Sequence, residues 1–397
     1  MSRLSACVAL AILVVLTAAC GDVPRNGGSP SAASAVALPS VGHAESGPAE
    51  PSQTPTQSTV LPDPTPAGPP ANGWIAYIDS LTIHLAGPDG AVRELVDAPA
   101  AEHQCPTFAP VGNLLAYGVD GNLVIAAIGE RGTIDARRVV PVPEAALPLC
   151  FEWSPDGRAI ALNLGDDVVR IVELDGPMRE IEVPLGVPSI GWTYDATAIL
   201  AGSWQEIAIV PLDGSRPRLI PGLPGGMRWR GPYELEASPA GPHIAVIAPS
   251  CRDEPMPADE VSSCVRVLDL DGALVLEEAR VADHGSITWS PDGTRLAWTD
   301  LDGIHVRSVD ATKSQVIRFD TAVEGAGGEV IVDGTQGLSW SPDSTRLLCE
   351  VSTSTVRGHE HAIVSIAVDG SGDVVVHSGW LSETALLQDR DLTWQRR

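Results

Sequence analysis

From residue 74 onward the chain alternates apolar and polar positions in runs of four to seven, and each run stops at a turn signal. Trp74-Ile75-Ala76-Tyr77 and Leu114-Leu115-Ala116-Tyr117 are such runs. Others span 123–128, 168–174, 207–212, 265–270 and 363–368, and the last four of these close on Asp-Gly. A period of two with turns at this density predicts short antiparallel strands joined by hairpins. No segment holds a 3.6-residue apolar period over ten positions, which excludes helical repeats.

One unit recurs through this pattern. Phe151-Glu152-Trp153-Ser154-Pro155-Asp156-Gly157 returns around Trp289-Ser290-Pro291-Asp292-Gly293 and again around Trp340-Ser341-Pro342-Asp343-Ser344. Weaker copies lie at Phe108-Ala109-Pro110, Trp192-Thr193-Tyr194-Asp195 and Ala237-Ser238-Pro239. The proline position falls at 110, 155, 194, 239, 291 and 342, so the period is 39 to 52 residues. Proline fixes φ at the second turn position, aspartate bonds its own backbone and glycine supplies the positive φ. Four short strands per period describe a β-propeller blade. Trp74 enters a unit that lacks its first strand, and Asp391-Leu392-Thr393-Trp394-Gln395 supplies that strand at the other end. The sequence therefore predicts an all-β fold over 74–397: a single propeller of seven four-stranded blades, its ring closed by the strand carrying Trp394.

The first 73 residues read differently. Arg3 precedes an almost wholly apolar stretch over 4–16, too short for a confident membrane span, and Thr17-Ala18-Ala19-Cys20 follows. Small residues before a cysteine resemble the bacterial lipobox, departing from it at Thr17. That resemblance implies a signal peptide over 1–19 and lipidation of Cys20. Residues 21–73 hold eleven prolines and no aromatic residue, a composition that cannot bury enough apolar surface to order itself. Residues 20–73 are thus expected to form an extended tether. It would hold the propeller at the extracytoplasmic face of a cell membrane.

The Trp-Ser-Pro-Asp-Gly unit is similar to the WD40-like propeller repeat of the TolB type, over 74–397. The TolB resemblance implies the propeller fold and leaves the role open, because its members include envelope binding proteins, peptidase propeller domains and bacterial lipoproteins. The α/β amino-terminal domain of TolB has no counterpart here. A Gly-x-Ser-x-Gly elbow is also absent, and no room follows the ring for a hydrolase domain.

Composition narrows the partners. Twenty-five Lys plus Arg against 51 Asp plus Glu give a net charge of -26, which argues against nucleic acid and anionic lipid surfaces. Of the seven cysteines, Cys251 and Cys264 bracket a polar insertion, and Cys105 and Cys150 each precede a marker proline by five residues. In an exported protein both pairs are disulfide candidates. Cys349, left over on an apolar strand, reads as a small buried residue. His359-Glu360-His361 lacks metal-ligand spacing and reads as a polar loop. No catalytic set and no cofactor are assigned. A structural calcium, of the kind lactonase-type propellers hold in their channel, would need acids that converge there. Arg228-Trp229-Arg230 places an indole between two cations and is a weak candidate binding group. The expected protein is a monomeric, membrane-anchored propeller that binds or scaffolds a protein or glycan of the envelope. The second reading is a channel-centred, metal-dependent hydrolase or lyase.

Overall fold

The structure is a computed structural model. It describes residues 60–63, 72–79, 82–88, 91–95, 103–142, 150–163, 167–183, 189–202, 206–221, 235–248, 263–281, 286–300, 303–317, 330–332, 337–355, 358–371, 374–377, 381–382 and 392–396. All of them belong to one compact unit, Pro55–Arg397.

Seven antiparallel sheets follow one another along the chain and form a single seven-bladed β-propeller. Blade 1 takes three strands from residues 72–94 and its fourth, Thr393–Arg396, from the other end of the chain. Blades 2 to 6 occupy residues 103–141, 150–182, 189–219, 235–281 and 287–317, each with four strands in chain order. Blade 7, residues 330–382, departs from the four-stranded plan. Its two central strands, Arg346–Thr355 and Gly358–Ala367, run ten residues each. That length lets each pair two short strands, and the sheet reaches six. His359-Glu360-His361, expected as a loop, lies in the second of these strands, paired with 352–354.

One strand of each blade lines the centre. These inner strands are His103–Phe108, Cys150–Trp153, Ser189–Trp192, Leu235–Ala237, Ile287–Trp289, Leu338–Trp340 and Thr393–Arg396. Each contacts the next in that order, and the last contacts the first, so the ring is closed. Among the described residues the buried apolar side chains form six clusters, each spanning neighbouring blades. The cluster around Trp74 and Trp394 also reaches Leu348 and Ile363 of blade 7. Both faces of a blade are thus covered, which explains the near-continuous burial of strands such as Leu114–Val119.

At the seam Trp394 pairs with Ile75 and Thr393 with Ala76, before a bulge shifts the register towards Asn72 and Arg396. The main-chain N–H of Trp74 donates to the side-chain oxygen of Gln395 at 3.2 Å. Ahead of the first strand, Leu61 packs on the cluster between blades 2 and 3, and Asp63 meets Arg158 at 2.9 Å.

Neither expected disulfide is present. Cys105 and Cys264 are buried thiols carrying no disulfide. Cys264 sits inside a strand, between Ala248 and Ala279 of its neighbours and fully buried, so its thiol is committed to the sheet core. Cys251 lies outside the described residues. Cys105 sits in a bulge with φ of 47°, whereas Cys150 begins its strand in regular register with Asn163. Equal spacing from the proline therefore does not give the two cysteines equivalent local geometry, and disulfide formation is sensitive to that geometry.

Candidate functional site

The repeat builds one face of the ring twice over, first with its turns and then with its aromatics. In blade 3 the hydroxyl of Ser154 donates to Asp156 at 2.6 Å and accepts the main-chain N–H groups of Arg158 and Ala159. The N–H of Gly157 closes the turn on the Ser154 carbonyl at 2.8 Å. Ser290 with Asp292 and Ser341 with Asp343 repeat this, and Thr193 with Asp195 does so in blade 4. Partial burial pushes the Asp195, Asp292 and Asp343 carboxyls up. The hydrogen bonds they accept outweigh it, so each ends below the usual carboxylate range. These aspartates are consumed by their own turns.

The residue before each turn forms a girdle. The indole N–H of Trp153 donates to the carbonyl of Thr107 in the preceding blade at 3.0 Å. Trp192 reaches Glu152 at 3.1 Å, Trp289 reaches Glu236 at 3.2 Å and Trp340 reaches Thr288 at 3.2 Å. In each case the acceptor is the residue just before the aromatic position of the previous blade. Where blade 2 substitutes Phe108, the donor changes: the Phe108 main-chain N–H bonds the Thr393 hydroxyl at 3.1 Å. These four tryptophans thus staple their blades to the ones before them, which gives the repeated Trp a role as a clamp. Trp394 is buried with His377 edge-on at 5.8 Å, and its indole N–H has no acceptor.

Inside the girdle lies the mouth of the central channel, a cavity of about 370 Å³. All seven inner strands line it, with Pro110, Pro155, Pro239, Pro291 and Pro342 at the rim. Glu152 and Glu236 are its charged lining residues. A second cavity of about 560 Å³, between blades 6 and 7, mixes Asp292, Asp343 and Asp369 with Arg295 and Arg346. Arg295 lies over the Trp340 ring at 4.7 Å, and its guanidinium also donates to the Ser344 carbonyl. Arg295 is thus part of the blade contact, whereas Arg346 bonds Ser365 within blade 7.

Among the described residues no group of three or more His, Cys, Asp or Glu is placed to hold a metal ion. The two channel glutamates belong to blades 3 and 5, so the described lining offers no convergent acid cluster for calcium. Cys349 is buried, and burial followed by the neighbouring Glu350 pushes its thiol up, so it is not an activated nucleophile. In blade 7, His377 bonds the Ser365 hydroxyl at 2.8 Å, and Arg346 donates to the same hydroxyl at 3.0 Å. Burial, then the Arg346 charge, pushes His377 down to about 4. Ser365 is wholly buried, so its hydroxyl is closed to solvent.

Arg228, Trp229 and Arg230 lie outside the described residues, as does Cys20. Sequence reading missed the indole clamps and the special status of Ala237, where the repeat lacks its aromatic. The alignment of the six copies contains that signal.

No protein-family model matches this chain, and neither does any curated protein. Among solved structures it is similar to a functionally unknown protein from Desulfotomaculum acetoxidans DSM 771. The TM-score is 0.54 at 14% identity, over 81% of this chain and 99% of that one. At that identity the likeness carries the fold and nothing about activity.

Proposed function

We propose that this chain is an envelope lipoprotein that binds a protein partner at the channel mouth on the turn face of its propeller. The observation that supports this reading is the mouth itself. It is an open cavity of about 370 Å³ with a proline rim and an aromatic collar, held rigid by clamps between blades. Cys20 anchors the chain to the membrane through the lipobox resemblance, and the proline-rich segment after it sets the ring off the lipid. A net charge of -26, with Glu152 and Glu236 at the mouth, favours a basic partner segment. The TolB-type resemblance of the repeat agrees with an envelope binding role. No helix among the described residues is long and apolar enough to cross a membrane.

Site-specific photo-crosslinking in cells tests this. A photoreactive residue at Pro110 or Pro155 on the rim should give a discrete product. The same residue at Val139 or Leu219, exposed on outer strands, should not. Products from the outer strands with none from the rim would overturn the assignment.

A further inference from the structure

Four turns of the repeat join a hydroxyl residue, a rim residue and an aspartate, and three of them finish alike. In blades 4, 6 and 7 the residue after the turn is Thr197, Thr294 or Thr345. Its hydroxyl donates to the turn aspartate at 2.7 to 2.8 Å. Blade 3 puts Arg158 at this position. The Arg158 main-chain N–H still bonds Ser154 and Asp156, so the backbone is held as in the other turns. The side chain instead meets Asp63 at 2.9 Å, 95 residues back along the chain.

The sequence around Asp63 suits this contact. Leu61 precedes Pro62 and Asp63 precedes Pro64, and a residue before proline is pushed to extended backbone. Positions two apart in an extended chain face one way. Leu61 and Asp63 both meet the ring, the leucine on the apolar cluster between blades 2 and 3. Val60 and Pro62, the alternate positions, are exposed. The prolines also leave less freedom to lose on docking. Asn72 then opens the first strand with its side-chain amide donating to Asp343, in the blade 7 turn, at 3.1 Å. Arg158 and Asp343 both belong to the turn face, and Pro155 of the Arg158 turn stands on the mouth rim.

We propose that Arg158 and the apolar surface between blades 2 and 3 form a docking site for a short extended segment, a leucine followed two residues on by a carboxylate. Its occupant is the chain's own Leu61-Pro62-Asp63, which straps the amino-terminal segment to the face that carries the mouth. The leucine supplies the adhesion and the ion pair sets the register. Both charges are more than half exposed, so water and salt weaken their attraction and the strap can release. The docking needs only the ring and the segment, and stands apart from any partner in the mouth.

A photoreactive residue at the exposed Val60 of the full chain, with crosslinked peptides identified by mass spectrometry, tests it. Products on blades 2 and 3, within residues 103–182, are expected. Asp63→Arg should cut their yield about twofold or more, and Leu61→Ser about fivefold or more. An unchanged Tm shows that the ring of each variant is folded. Asp63→Arg combined with Arg158→Asp should restore the yield, because the pair is rebuilt with its charges exchanged. Products spread over all seven blades, or a yield unmoved by Leu61→Ser and Asp63→Arg together, would overturn the docking site. A charge exchange that restores nothing would remove Arg158 from it, with the same consequence. Products joining two copies of the chain would make a second copy the occupant and overturn the strap.

Discussion

Replacing Gln395 by leucine should loosen the ring at its seam. The bulge between Asn72 and Ile75 takes the Trp74 amide out of register with the closing strand. The Gln395 side chain supplies the missing acceptor at 3.2 Å, and Gln395 is itself 1% exposed. Leucine keeps most of the volume and removes the acceptor, so the cost is that of a buried amide left unsatisfied, about 1–3 kcal/mol. For a domain of this size that is a fall in Tm of roughly 2–6 °C. Gly73 guards the same contact. A methyl group there would lie 2.6 Å from the Gln395 side-chain oxygen and 2.8 Å from its main-chain oxygen. The second atom is backbone, so Gly73→Ala must push the strands apart, at about 1–3 kcal/mol.

Urea unfolding of the full chain, followed by tryptophan fluorescence, measures both losses. Gln315→Leu, on an exposed strand position of blade 6, is the control and should stay within about 0.5 kcal/mol. Because the two seam changes act on one bulge, their combined loss should be smaller than the sum. A Gln395→Leu loss no larger than that of the control would refute the bulge-filling role and, with it, the view of the seam as a specified joint.

Other consequences can be measured on the same protein. Trp289→Phe keeps a ring but removes the clamp to Glu236, for a loss of about 0.5–1.5 kcal/mol by urea unfolding, whereas Trp289→Ala should cost about 3–5 kcal/mol. His377 is held neutral, with a folded value near 4 against 6.5 unfolded. Its stabilisation is therefore complete above pH 6.5 and is lost as pH falls towards 4, by about 3 kcal/mol. The His377→Gln variant should flatten the urea midpoint over that window. The turn aspartates act lower, since their folded values lie below 3.8. Cys20→Ser should move the chain from the membrane to the soluble fraction without changing its Tm.

The propeller was legible because its signals are local and repeated. Proline, aspartate and glycine at fixed turn positions, together with period-two strands, specify a blade without knowledge of its neighbours. The seam was legible because Trp394 completes a pattern that Trp74 begins. The turn aspartates were legible for the same reason, since the hydroxyls of Ser154, Ser290 and Ser341 that bond them lie in the same turns. What escaped the sequence depends on contacts between strands and between blades. The disulfides failed there, since spacing along the chain says nothing of the bulge at Cys105 or the sheet interior around Cys264. In a repeat fold most identical residues are scaffold, because each blade must meet the next in the same way. A functional site therefore shows where the repeat breaks. Blade 7 breaks it by lengthening two strands. Blade 5 breaks it at Ala237, where the aromatic residue is missing and Leu235 of the same strand packs into the cluster with Ala198 and Leu200 of blade 4 instead.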